Sequence, residues 1–489
     1  MNEKSIKQKT SLGLLWTTLQ RLSSMLISFL SGVILARLLS PYDYGCIGMI
    51  SIFMVLAWSF IDAGFGSALI QKKRPTQDDY STIFWWNILM SLLMYVILYV
   101  ASPLIASFYK IPLLCDVLRI QGLIFFIYAL NIVQRVRLRK NMDFKILSIV
   151  SIITSIIALI VTIFLAYNGY GVWSLVAQNL IVAAIPSLFF WFYIRWRPKM
   201  VFSKKSFKEL FNYGIYMFFV DIANNLGQKI QGLLIGRVYS PITMGFYSKA
   251  DSTERLASTT ITQVVGQVTF PLYAELQDDI VALRNAIKQL SMAIAYCTFP
   301  MMFLLMLLAE PIFVLLYSEK WIQSVPYFQT LCFAGLAYCL QSVNYQSISA
   351  IGKSKILFVW TMIKRGVGIG FVVVGLLLFG MKGLLIGVVL NTWFSYFVNI
   401  SLVSKYIGYR WFNQLKDISP MFIVSIIAST IAYLVGTYLN YGLFVTGVVE
   451  LVTFLFIYSI WTIVFKPHAF VFIKDNFMLF INKGTSKKR

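Results

Sequence analysis

GVILARLLSPYDYG at residues 32–45 and GLLIGRVYSPITMG at residues 232–245 are one pattern written twice, 200 residues apart and without a gap. The first Gly, the Arg, the Ser-Pro pair and the closing Gly agree, at Gly32, Arg37, Ser40, Pro41 and Gly45 and again at Gly232, Arg237, Ser240, Pro241 and Gly245. Positions between the first Gly and the Arg stay apolar or small in both copies. Gly66 matches Gly266 at the same shift of 200, and Gly171 and Asn179 match Gly383 and Asn391 at a shift of 212. An internal repeat of this length, in a chain made mostly of apolar runs, indicates a duplicated membrane bundle.

Composition agrees. The chain is 59% hydrophobic and 12% charged, against about 45–50% and about 25% in an ordinary soluble domain. Its apolar runs predict about fourteen membrane helices, each near the twenty or so residues needed to cross. They cover 12–37, 45–70, 80–108, 114–134, 146–167 and 171–194, then 209–236, 242–274, 286–317, 327–350, 355–379 and 383–404, with a last pair at 419–439 and 442–465. The segments between them are too short to fold as a soluble catalytic or nucleic-acid-binding domain. The expected fold is an all-α integral membrane protein. An N-lobe spans 1–200, a C-lobe 201–408, and a C-terminal helix pair with its tail 409–489.

The net charge of +23 does not signal nucleic acid. Basic residues gather in alternate loops: Lys72, Lys73 and Arg74; Arg135, Arg137, Arg139, Lys140 and Lys145; Arg195, Arg197, Lys199, Lys204, Lys205 and Lys208. The N-terminus carries Lys4, Lys7 and Lys9. This is the positive-inside pattern, and it predicts that both termini are cytoplasmic. Six helices per lobe then make the repeat parallel, with its pseudo-twofold axis along the membrane normal, an architecture of alternating-access transporters. Cys46, Cys115, Cys297, Cys332 and Cys339 are scattered and suggest neither a disulfide framework nor a metal site. No cofactor is expected, and His468 has no partner in sequence.

The repeat also shares a polar stripe. Arg21, Ser24, Ser28 and Ser31 lie on one face of the first helix; 200 residues on stand Asp221, Asn224, Gln228 and Gln231. A charge at the bilayer centre costs roughly 2.5–3.5 kcal/mol on insertion scales. Both helices are therefore expected to line a water-filled chamber, although the serines also suit close helix packing. Arg21 would face Asp62 or Asp221. The eighth helix holds Lys249, Asp251, Glu254 and Arg255; Asp251 and Arg255, four apart, can pair on one face or meet a ligand. Lys229, Lys364 and Arg365 sit within predicted spans and either contact a ligand or snorkel to the cytoplasmic interface. Cations outnumber carboxylates, which suits an anionic substrate: one pair at 4 Å is worth about 4 kcal/mol at an effective dielectric near 20. Candidate substrate contacts are thus Arg21, Asn224, Gln228, Lys229, Lys249, Arg255, Lys364 and Arg365. Candidate ion-coupling carboxylates are Asp62, Asp221, Asp251 and Glu254.

Three features carry a resemblance: the G-x-x-x-x-R-x-x-S-P-x-x-x-G pattern at Gly32–Gly45, the Gly64–Leu69 run after Asp62, and the turn from Asn168 through Gly171 to Trp173. With the two-times-six-plus-two helix count, the chain resembles the polysaccharide-transport branch of the multidrug/oligosaccharidyl-lipid/polysaccharide exporter superfamily. Within it, the chain resembles Wzx-type flippases. The resemblance implies an undecaprenyl-diphosphate-linked oligosaccharide as substrate, flipped across the bacterial inner membrane for lipopolysaccharide, capsule or exopolysaccharide biosynthesis. It also implies a polysaccharide polymerase and chain-length machinery as partners, a proton or cation gradient as drive, a groove for the polyprenyl tail at the last helix pair, and no catalytic residue. A drug/cation antiporter of the same superfamily and a peptidoglycan-precursor flippase are the neighbouring alternatives. A membrane polymerase or ligase would need an acid-base cluster on an outward loop; Leu38–Tyr44, Ser107–Asp116, Tyr167–Tyr170 and Ser318–Pro326 hold none.

Overall fold

The computed structural model describes residues 3–439 and 441–475, and these contain helices and no strand. Residues 476–489 of the expected C-terminal tail lie outside the described residues. The chain divides into two compact units, Met1–Gly245 and Phe246–Arg489.

The first unit contains α1 (Glu3–Leu38), α2 (Pro41–Asp62), α3 (Phe65–Gln71), α4 (Gln77–Tyr109), α5 (Leu113–Gly122), α6 (Ile124–Ala129), α7 (Ile132–Lys140), α8 (Phe144–Tyr167), α9 (Val172–Tyr193) and α10 (Lys204–Val238). The division falls after α10 rather than near residue 200. That helix packs against α2, α3 and α4, so the packing boundary and the boundary of the sequence repeat differ.

The repeated Ser-Pro is a helix start. Ser40 caps α2 through a reciprocal capping box with Asp43, and Pro41 takes the first turn, where its missing N–H costs nothing. In the second copy Ser240 Oγ accepts from the Thr243 amide at 3.2 Å. The closing glycines serve a close approach. A Cβ on Gly45 would lie 1.8 Å from the carbonyl oxygen of Pro241, and one on Gly245 would lie 1.8 Å from that of Pro41. The two copies of the motif therefore cross each other reciprocally, backbone to backbone. The arginine of the second copy is anchored too: Arg237 Nη1 donates to the carbonyl of Phe108 at 2.6 Å.

The second unit holds most of α11 (Pro241–Glu275), then α12 (Ile280–Leu307), α13 (Ala309–Tyr317), a 3₁₀ turn (Glu319–Ser324), α14 (Val325–Ala350), α15 (Ser354–Ile407), α16 (Trp411–Leu439) and α17 (Leu443–Phe465). Phe379 and Gly380 leave helical geometry inside α15, Gly380 at φ +60°. Its two halves, expected as separate spans, fold back on each other, with Gly375 facing Gly383 so closely that a side-chain carbon at either would meet the other's backbone. The last pair packs together and against α12, while Leu455, Phe456, Val464 and Phe465 are exposed, as hydrocarbon-facing residues are.

Each expected span falls on helix, and the chain is a multi-pass membrane protein. Among the described residues, nine helices are long and apolar enough to cross, α15 among them as one, and ten if the segment bent by 41° between α6 and α7 is counted. The figure is lower than fourteen because α15 counts once for two expected spans, the 114–134 span is broken, and three helices are too polar. Helices α10, α11 and α14, which carry the polar stripe and its neighbours, are absent from that set.

Candidate polar site and family relationship

The polar residues of the first unit converge unevenly. Ser31 is buried and accepts a hydrogen bond from Gln178 Nε2 of α9 at 3.1 Å. That serine joins helices. Arg21 is exposed, about three turns before the buried Ser31 of α1. On α2 and α10 the acids come together. The Asp62 carboxylate accepts from the amides of Gly64 and Gly66 and lies close enough to Asp221 and Arg139 to feel both charges. Nearby on the same two helices, Asn225 Nδ2 donates to Ser59 Oγ at 2.9 Å. Asn224 and Lys229 are half-buried on α10 and Gln228 is exposed.

The polar residues of α11 point in two directions. Lys249 is buried with its Nζ 3.9 Å from the ring centre of Tyr317 and 5.8 Å from that of Trp321. Thr253 Oγ1 meets the Tyr317 hydroxyl at 3.1 Å. This end of α11 is thus held by a cation–aromatic contact. Glu254 is buried against α14, so close to Gly335 that a Cβ there would lie 2.5 Å from its Oε1; Ser258 supplies it a hydrogen bond.

Asp251 and Arg255 do pair: Arg255 Nε donates to both carboxylate oxygens at 2.9 Å. The guanidinium of Arg365, on α15, is close enough to Arg255 for the two to repel, with Tyr338 beside it. Lys364 is buried, donating from Nζ to Asn399 Oδ1 at 2.8 Å, and the Asn399 amide donates on to the carbonyl of Gln341 at 3.3 Å. Within the second unit, then, Arg255, Lys364 and Arg365 form a cationic group backed by tyrosine and amide side chains. Glu254 is packed against α14 but still feels the Arg255 charge, whereas Lys249 is turned to its two rings.

Asn399, Tyr338, Asn225 and Ser59 were not singled out in the sequence. A polar residue every turn on an apolar helix was the available signal; Asn391 and Asn399 on the second half of α15 follow it. Among the described residues, no group of three His, Cys, Asp or Glu side chains is placed to hold a metal ion.

The chain is similar in sequence and fold to known proteins. The chain is 27% identical to the teichuronic acid biosynthesis protein TuaB of Bacillus subtilis (strain 168), over 73% of its own length and 74% of that protein. It is 23% identical to the lipopolysaccharide biosynthesis protein WzxC of Escherichia coli (strain K12), over 89% of each. Its fold is similar to that of the lipid II flippase MurJ in an inward closed conformation, with a TM-score of 0.73 at 17% identity, covering 92% of this chain and 99% of that one. The profile of the family described as polysaccharide biosynthesis protein matches residues 34–326, from the first copy of the repeated motif through the second and on to the start of α14. The chain therefore belongs to the polysaccharide biosynthesis protein family.

Proposed function

We propose that the protein is a flippase. It moves the sugar headgroup of an undecaprenyl-diphosphate-linked oligosaccharide from the cytoplasmic to the periplasmic leaflet of the bacterial inner membrane, by alternating access, for lipopolysaccharide, capsule or exopolysaccharide assembly. The single observation that carries this reading is the cationic group of Arg255, Lys364 and Arg365, in a family whose relatives are named for glycan biosynthesis. A diphosphate offers several anionic oxygens, and guanidinium groups bind such oxygens in pairs. Only the Nε of Arg255 is engaged by Asp251, so its two terminal nitrogens suit a phosphoryl oxygen. Arg21, Asn224, Gln228 and Lys229 would meet the sugars, and Asp62 with Asp221 would carry the coupling proton or cation. Lys249 and Glu254 take structural roles in this reading. Both termini lie in the cytoplasm, the polymerase and chain-length machinery act on the product, and the protein itself breaks no bond.

The test is transport in proteoliposomes carrying a lipid-linked oligosaccharide, with a membrane-impermeant sugar-modifying reagent outside. Arg255→Gln removes one charge-assisted contact, worth about 1.5–3 kcal/mol, and is expected to slow flipping at least about tenfold while the protein stays folded. Unchanged flipping in Arg255→Gln and in Arg365→Gln would remove the cationic group from the mechanism.

A further inference from the structure

A cavity of about 280 Å³ lies inside the first unit among α1, α6, α7, α8 and α9. Arg135 and Arg139 project from α7 to its wall, one turn apart, close enough to repel each other. No described carboxylate forms an ion pair with either; the acid that Arg139 feels is Asp62, from outside the cavity. Thr154 also lines it. Its side chain is 2% exposed and its hydroxyl has no hydrogen-bond partner. Gln20 stands at the wall too, its Oε1 already accepting from Ser148 at 3.3 Å, which leaves amide donors for a guest. Ser151 is among the further hydroxyl residues on the wall.

Among the described residues, the lining therefore offers guanidinium, amide and hydroxyl donors, and no carboxylate. Two adjacent cations in a partly dry site are costly unless an anion sits between them. The volume is enough for a phosphoryl group with water around it. Charge, donor set and size agree on one guest. We propose that this cavity is a phosphoryl-binding site, held by Arg135, Arg139 and Thr154, and separate from the Arg255 group. The guest is either a free diphosphate or the phosphate of an anionic lipid headgroup; both present the same oxygens. The proposal does not depend on the transport reading.

The test places a reporter in the wall. Ser151→Cys is made in the full-length protein in phosphatidylcholine nanodiscs, and maleimide labelling of that cysteine is timed by peptide mass spectrometry. One arm adds inorganic diphosphate; the other replaces part of the lipid with phosphatidylglycerol. At least one arm is expected to slow labelling about tenfold. Protection by diphosphate identifies a free anion and protection by phosphatidylglycerol a lipid headgroup; either supports the site. Arg135→Gln with Arg139→Gln is expected to abolish the protection, since losing each charge-assisted contact weakens binding about tenfold to a hundredfold. If that variant does not fold, Arg135→Lys is read instead, and is expected to weaken protection without ending it because the paired geometry of guanidinium is lost. Equal labelling rates in every arm, or protection that survives the arginine substitutions undiminished, overturns the proposal.

Discussion

Replacing Gly45 by alanine has two opposed consequences, and the sign of the result decides between them. Gly45 lies inside α2, where alanine in place of glycine stabilises a helix by about 0.5–1 kcal/mol. Against that, the new methyl would sit 1.8 Å from the Pro241 oxygen and 2.6 Å from its carbonyl carbon. Backbone atoms cannot swing aside as a long side chain can, so the two segments must part by about 1.5 Å to restore ordinary contact. Forced overpacking of this kind costs about 1–3 kcal/mol. Gly45→Ala should therefore destabilise, and Gly245→Ala should do so by a similar amount, because it meets Pro41 at the same 1.8 Å. The double variant carries the sharper prediction. Once the first methyl has opened the crossing, the second enters space already made, so the double loss should fall short of the sum by at least about 0.5 kcal/mol. Denaturant unfolding of the purified protein in detergent, followed by tryptophan fluorescence, measures all three. Stabilisation by either single variant, or strict additivity in the double, would refute the reciprocal crossing.

Further expectations follow from named contacts. Lys72 bridges Asp79 at 3.0 Å and Glu209 at 2.9 Å, so Lys72→Met should cost about 1–3 kcal/mol in the same unfolding assay. Burial works against the Lys72 ammonium, but its bonds to Glu209 and Asp79 outweigh it and raise its pKa. Its folded form thus holds the proton more tightly than the unfolded chain, whose lysine titrates near ~10.4. The contribution is complete below that pH and is lost as pH rises through the higher folded value; Lys72→Met should flatten the alkaline limb of a stability–pH curve. For the Asp251–Arg255 pair, Asp251→Asn and Arg255→Gln should destabilise alike if the pair is only structural. The transport reading instead has Arg255→Gln slow flipping several-fold more than Asp251→Asn does, in proteoliposomes. Lys364→Met leaves Asn399 Oδ1 without its donor at 2.8 Å and should cost about 1–3 kcal/mol of stability, whereas Lys364→Arg should recover part of it.

Much of the fold was legible because its signals are local. Ser40-Pro41 and Ser240-Pro241 start helices by capping chemistry that operates within four residues, and apolar runs mark spans by length. The use of Gly45 and Gly245 was not legible, because their partners are each other's prolines. Nor was the placement of α10: a repeat reports ancestry, whereas the unit boundary reports which helix buries which, and α10 buries against α2. Among site residues, the Asp251–Arg255 pair could be read from helical spacing. Lys249 could not be separated from it, since what turns Lys249 away is the pair of rings at Tyr317 and Trp321, distant in sequence. Arg135 and Arg139 looked like ordinary cytoplasmic loop cations by the charge rule that sets orientation; only the packing of α7 beside α8 and α9 brings them to a cavity wall.

The central claim is that this chain carries a lipid-linked sugar across a bilayer, and time-resolved flipping in proteoliposomes tests it most directly. The account predicts that an undecaprenyl-diphosphate oligosaccharide supplied in the inner leaflet becomes reactive to an external sugar-modifying reagent at a rate proportional to protein content, and that Arg255→Gln suppresses this. A rate equal to that of protein-free vesicles, under an imposed proton or sodium gradient as well as without one, would contradict it.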